Sequence, residues 1–431
     1  MSKFKRYERY KDSGVEWIGE IPEHWEIKKI KYISNITMGQ SPKSEECSLD
    51  ETGLPFLQGN AEFTSLHPIP KIYCNTANKF SKVNDILLSV RAPVGAMNIS
   101  DRVYGIGRGL CAITANKVQV RYLWYSMNVS LEELFIKSKG STFEAVTVTD
   151  VNNLLSILPP KNEQIAIANF LDQKTAEIDG LIADKEKLIE LLQEKRQAII
   201  TEAVTKGLNP NVKMKDSGIE WIGEIPEHWE IKPLKRIFKI VNGGTPSSSE
   251  ESYWNGDITW ITPNDLSNLT EIYIKDSERK ITKDGLHNCS AKIVPKGSIV
   301  ISTRAPIGYV AIAGVDLCTN QGCKSLVAIN KVNPKYFYYW ISSISFYLNV
   351  LGQGTTFMEL SNNNLSMVEL LIPLLSEQEK IASFLDQKTA EIDDLIFDIN
   401  TQIQKLKEYR QSLISEAVTG KIDVRDYVVS N

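Results

Sequence analysis

The stretch GEIPEHWE stands at residues 19–26 and again at residues 223–230. Each copy lies inside a longer match, KDSGVEWIGEIPEHWEIK from Lys11 and KDSGIEWIGEIPEHWEIK from Lys215. A chain of 431 residues that starts over 204 residues later carries a duplication, and the period is too long for a solenoid unit. The second half then follows the first in order. NITMGQSPKS (35–44) is matched by KIVNGGTPSS (239–248), and LPFLQGN (54–60) by ITWITPN (258–264). LLSVRAPVG (87–95) is matched by VISTRAPIG (300–308), GSTFEAV (140–146) by GTTFMEL (354–360), and FLDQKTAEIDGLI (170–182) by FLDQKTAEIDDLI (384–396). The repeated unit is one whole domain plus one helix.

The helix is the plainest element. From Glu163 to about Thr205, and from Glu377 to about Thr419, proline is absent and glycine almost so. Leu385, Ile392, Ile399, Leu406 and Leu413 recur every seven residues, with Leu395, Ile396, Ile403 and Tyr409 in the intervening seam. Leu171, Ile178, Lys185, Leu192 and Ile199 occupy the same places in the first copy, Lys185 being the departure. A sustained heptad predicts a coiled-coil seam, and at about 1.5 Å per residue such helices run to about 65 Å. Neither can bury its stripe alone, so each is expected to pair antiparallel with its copy, a domain at each end. Between the helices DILLSVR, SIVISTR, LCAITAN and SLVAIN read as strands, and VRYLWYSMN and PKYFYYWISS as aromatic helices. The expected fold class is α+β: two duplicated α/β domains separated by two long helices that form an antiparallel coiled coil. The expected boundaries are 1–158 and 209–372 for the domains, 159–208 and 373–422 for the helices, and 423–431 for a tail.

Composition narrows the class. The chain is 42% hydrophobic and 24% charged, an ordinary globular balance. No apolar run approaches the ~20 residues of a membrane span, and the charged N-terminus lacks a signal peptide's apolar core, so a cytoplasmic protein without membrane contact is expected. The six cysteines form no CxxC pair and suggest no metal site. Net charge is −4, and residues 1–158 carry 19 basic against 17 acidic groups, residues 211–372 16 against 16. Any nucleic-acid binding must come from local clustering on neutral domains.

Reacting groups are not in evidence. There is no GxxxxGK[ST] phosphate loop, HExxH, GxSxG elbow or methyltransferase-type NPPY tetrapeptide, and GIGRG at residues 105–109 lacks GxGxxG spacing. The polar motifs suit recognition instead. The Trp-rich boxes read as staples that pack the start of each domain against the base of a long helix, or as partner-docking elements. The turns MGQSP and GGTPS expose backbone N–H and hydroxyl groups from Gln40, Ser41, Thr245 and Ser247, and can serve as plain turns or hold a phosphate. Arg91 and Arg304 stand at strand ends before proline, where arginine can grip a phosphate, read a guanine edge or satisfy buried carbonyls. Arg108 and Lys324 align as a second basic pair. Gln58 and Asn60, against Thr262 and Asn264, end another strand with amide or hydroxyl groups suited to base edges. Lys139, Ser141 and Thr142, against Thr355 and Thr356, lie in glycine-flanked loops. Residues 61–84 and 265–297, by contrast, share almost nothing. One frame with different inserts predicts two different recognition surfaces.

IPEHWE opening each half, GGTPS, TRAPIG and SEQEKIASFLDQKTAEID resemble the specificity subunit of type I restriction–modification systems, over essentially the whole chain. The resemblance implies a DNA-binding subunit whose two domains each read half of a bipartite double-stranded target. It implies that the helices set the spacer and dock two modification subunits, with restriction subunits joining the complex. Methylation and cleavage would belong to those partners, which would hold S-adenosylmethionine, ATP and Mg, leaving this chain non-catalytic and without a bound cofactor. MGQSPKS departs from GGTPS, which weakens the phosphate role of the first turn. A specificity subunit of a type IIB- or IIG-like enzyme shares this plan, and a coiled-coil scaffold that binds no DNA is the alternative from another class.

Overall fold

The computed structural model describes residues 4–42, 47–51, 53–138, 145–304, 306–352 and 359–427. It divides into two compact units: Met1–Lys185 with Thr401–Asn431, and Glu186–Asn400. The division falls within both long helices, Lys161–Lys206 and Leu375–Val418.

In the first unit an antiparallel sheet runs Ser34–Met38, Leu110–Ala115, Ile86–Ser89, Met97–Ile99. A second sheet is built on Leu54–Leu57, which pairs antiparallel with Ile72–Cys74 and parallel with Gly105–Ile106. The apolar run of Ile86–Ser89 is wholly buried, as expected of a strand covered on both faces. Leu57, Leu87, Tyr104, Ile106 and Leu110 form the core between the sheets. The aromatic helix Val120–Ser138 packs beneath, with Tyr122 Oη donating to the Ile157 carbonyl at 2.8 Å. Strand Leu155–Leu158, paired with Glu26–Lys29, leads into the first long helix.

The second unit repeats this frame. Its sheet runs Phe238–Asn242, Cys323–Ala328, Ile299–Ser302, Val310–Ala313, Tyr273–Ile274. Trp254–Ile261 pairs with Lys280–Ile281 and Cys318–Thr319. Pro334–Ser343 is the aromatic helix, and Glu369–Ile372, paired with Glu230–Pro233, leads into the second long helix.

The tryptophan boxes work as staples. Trp25 and Trp229 are fully buried. In the first unit the Glu163 carboxylate, at the start of the long helix, accepts from Tyr7 Oη (3.0 Å), Trp25 Nε1 (3.0 Å) and His24 Nε2 (2.7 Å). In the second, His228 Nε2 meets Glu377 at 2.9 Å, while the buried Trp229 Nε1 has no partner among the described residues.

Within each unit the helix segments pair antiparallel. In the first, Arg410 Nε meets Asp179 at 2.9 Å and Lys185 Nζ donates to Gln402 Oε1 at 2.6 Å. In the second, Arg196 Nε meets Asp393 at 3.3 Å. Asp393 and Arg410 each lie 214 positions beyond Asp179 and Arg196, so the two ion pairs are one pair stated twice. Lys185 is thus a polar crossing. Ile178, Ile182, Ile392, Ile399, Ile403 and Leu413 are buried, but Leu395 and Tyr409 are 51% and 52% exposed. The seam is narrower than the heptad reading, because those two project outside the stripe that the facing segment covers.

Candidate nucleic-acid interface

One close backbone approach helps to build the polar rim of each domain. A Cβ on Gly39 would lie 2.1 Å from the Gly107 carbonyl oxygen, and one on Gly243 1.8 Å from that of Asn320, so only glycine fits at either turn. In the first unit Gln40 N donates to the Ile106 carbonyl (2.8 Å), Gly107 N to that of Leu57 (2.8 Å) and Val90 N to that of Gly109 (2.9 Å). The Gln40–Ser41 turn, the end of the Gln58 strand, the Arg108 loop and the Arg91 strand end are therefore held side by side. Gln58 Nε2 donates to Ser41 Oγ at 2.7 Å, which also accepts from Arg108 N at 3.2 Å. Arg91, Arg108, Gln40 and Gln58 are exposed, and neither arginine has an ion pair among the described residues. This edge borders a cleft of about 530 Å³ floored by Phe56 and Ile72. Asn60, half-buried, follows it and accepts from Phe63 N through its carbonyl.

The second unit has the same wiring. Gly244 N donates to the Thr319 carbonyl (2.9 Å), Asn320 N to that of Ile261 (2.8 Å) and Thr303 N to that of Gly322 (2.8 Å). Thr245 Oγ1 hydrogen-bonds Gln321 Oε1. Ser247 is exposed, its Oγ 2.9 Å from that of Ser249. Arg304 is half-exposed and its Nε lies 3.1 Å from Glu359 Oε2. Asn264 Nδ2 donates to Glu278 Oε2 at 3.2 Å.

Two expectations change. The carbonyls of Gly109 and Gly322 accept equivalent bonds, which aligns Arg108 with Gln321 and Lys324 with Cys111 rather than Arg108 with Lys324. Lys324 is 5% exposed inside the sheet, and burial lowers its pKa against the opposing pull of Glu359, so it is no surface contact. Thr262 is an N-cap: its Oγ1 lies 2.5 Å from Asp265 Oδ2 and accepts from Asp265 N, which commits the hydroxyl to the short helix Pro263–Ser267. Gln321 is the residue that sequence reading missed, because the loops CTNQGC and GIGRG share no letters beyond a glycine. Lys139, Ser141, Thr142, Thr355 and Thr356 lie outside the described residues.

Among the described residues no cluster of three or more His, Cys, Asp or Glu could hold a metal ion, and no helix is long and apolar enough to cross a membrane. Burial pushes the thiols of Cys111 and Cys318 up to about 12, so both are inert at neutral pH.

A frame written twice, each with a small rim of arginine, amide and hydroxyl groups and each joined to a long helix, defines a two-headed recognition protein. The family model for the type I restriction modification DNA specificity domain matches residues 22–191 and 226–405, and the chain belongs to that family. It is 43% identical over 189 residues, 43% of either chain, to the type I restriction enzyme MjaIX specificity subunit of Methanocaldococcus jannaschii. It is 26% identical over 446 residues, 98% of this chain and 99% of the relative, to the putative MjaX specificity subunit of the same organism. A chain from a solved structure described as the basis of complex assembly and conformational transition of the type I R-M system has the same fold. Its TM-score is 0.72 at 19% identity, covering 92% of this chain and 98% of that one.

Proposed function

We propose that this chain is the DNA specificity subunit of a type I restriction–modification complex. Each recognition domain reads one half of a bipartite duplex target, and the paired helices set the spacer and dock the modification subunits. Methylation and cleavage fall to the partner subunits, which hold S-adenosylmethionine, ATP and Mg, and this chain is non-catalytic. The observation that carries the reading is the duplicated rim: equivalent backbone wiring presents Ser41, Gln58, Arg91 and Arg108 in one unit and Thr245, Gln321 and Arg304 in the other. A single surface would need no second frame, and two identical half-sites would need no second set of side chains.

The test is binding of duplex DNA by the assembled complex, with Arg91→Ala and Arg304→Ala compared on targets altered in either half. Arg91→Ala is expected to lose about tenfold or more in affinity through one half, and Arg304→Ala through the other. Equal effects on both halves, or none, would mean that these arginines serve the fold.

A further inference from the structure

The second domain carries a further arginine outside the motifs that the two halves share. Arg279 is exposed, and its guanidinium carbon lies 3.7 Å from the ring centroid of Trp254 and 6.0 Å from that of Trp260. The two indoles meet edge to face, centroids 5.2 Å apart at 80°. Both are nearly buried, and both are tied to the glycine-rich turn. Trp254 Nε1 donates to the Ser247 carbonyl at 3.0 Å, and Trp260 Nε1 to the Gly244 carbonyl at 2.8 Å. On its other side Arg279 is fixed by Ser277, whose Oγ donates to the Arg279 carbonyl at 2.7 Å and accepts from Trp260 N at 3.1 Å. Its neighbour Glu278 is held by Asp265 at 2.8 Å and by Asn264 at 3.2 Å. The guanidinium thus lies over an indole tied to the Ser247 carbonyl, and Arg279 follows Glu278, which Asn264 holds.

The shelf explains what an arginine gains there. A guanidinium laid on an aromatic face keeps its N–H fork in plane and pointing outward, and loses less rotamer freedom when the fork is filled. No carboxylate forms an ion pair with Arg279 among the described residues, so the fork is open. A planar fork of two parallel donors matches guanine O6 and N7 in the major groove. The residue also lies in the insert that distinguishes the two domains. In the first unit Phe56, aligned with Trp260, pairs across the sheet with Ile72, and among the described residues no arginine is recorded over the Phe56 ring.

We propose that Arg279 is a base-reading residue of the second recognition domain, presented to a guanine by the Trp254–Trp260 shelf, with Trp254 as its positioning residue. The assignment rests on the proposed function. Its test uses the assembled complex, with the wild-type target first established by methylation sequencing and each base pair then replaced in binding assays. Arg279→Met keeps an apolar stem over the indole and removes the fork; Arg279→Lys keeps the charge without the fork. Both are expected to lose about 10- to 100-fold on the wild-type target and to stop discriminating at one G·C pair in one half, the other half unchanged. Trp254→Phe, with a smaller shelf, is expected to weaken discrimination at that same pair. Uniform loss on every sequence with a shallower salt dependence would make Arg279 a phosphate contact, and unchanged binding would make it a cover for the tryptophans. Either result overturns the assignment alone. A wild-type complex that marks no bipartite target would instead overturn the function beneath it.

Discussion

Glu163 shows how much one residue can hold. Its carboxylate is nearly buried and accepts from a phenol, an indole and an imidazole, so it joins the N-terminal segment, the first tryptophan box and the long helix. Burial and the neighbouring carboxylate push the Tyr7 phenol far above its ordinary value, so it remains a donor throughout the usable pH range. Net of the exchange with water, hydrogen bonds to charged groups contribute about 1.5–3 kcal/mol each. Glu163→Gln is therefore expected to destabilise the first unit by about 2 kcal/mol, and hydrogen exchange around residues 20–26 should quicken by roughly tenfold or more. Glu377 is a third exposed and serves His228 without Trp229, so Glu377→Gln should barely change exchange at residues 224–230. Equal effects in both copies would contradict the asymmetry. The sequence made the duplication of His24 and His228 plain, but not this difference, because Tyr7 falls just outside the matched stretch.

At the scale of elements, the joint between each aromatic helix and each long helix is a clamp. Asp172 binds Arg121, accepts from Tyr125 Oη at 2.7 Å, and Tyr125 Oη lies 3.2 Å from Thr175 Oγ1. Lys335, Tyr339, Asp386 and Thr389 repeat the arrangement, with Tyr339 Oη 2.8 Å from Asp386. Burial, with Asp172 beside it, pushes the Tyr125 phenol up to about 12. Asp172→Ala would strand a half-buried guanidinium and a buried hydroxyl, and a fall in stability of about 2–3 kcal/mol is expected by denaturant unfolding of the full chain. A loss below about 0.5 kcal/mol would show the clamp to be ornamental. These elements were legible because FLDQKTAEID is written twice and the aromatic helices keep their pattern. The rim was legible only in part. Residues that meet through loop wiring, such as Arg108 with Ser41, follow from carbonyl bonds that no letter records, which is why Gln321 was missed and Lys324 misplaced. Leu395 and Tyr409 failed for a related reason: a heptad marks a stripe, but the facing surface decides its width.

For the whole molecule, the duplication joins one scaffold to two vocabularies. Backbone wiring, staples, clamps and the Asp–Arg crossings recur, while the strand end and insert around Arg279 have no match in the first copy. Such a division predicts that spacing and letters are separable. The heptads 184–190 and 398–404 correspond by the 214-residue offset and contain the polar Lys185–Gln402 crossing. Removing both shortens each helix by about 10 Å, the rise of about three base pairs. The decisive measurement is methylation sequencing of DNA from cells expressing this chain, intact or lacking both heptads, with its modification subunit. Two short fixed blocks around a fixed gap are expected for the intact chain, and the same blocks with the gap changed by about three base pairs for the shortened one. An intact chain that marks no bipartite target, or a shortened one that changes the letters and keeps the gap, would contradict that expectation.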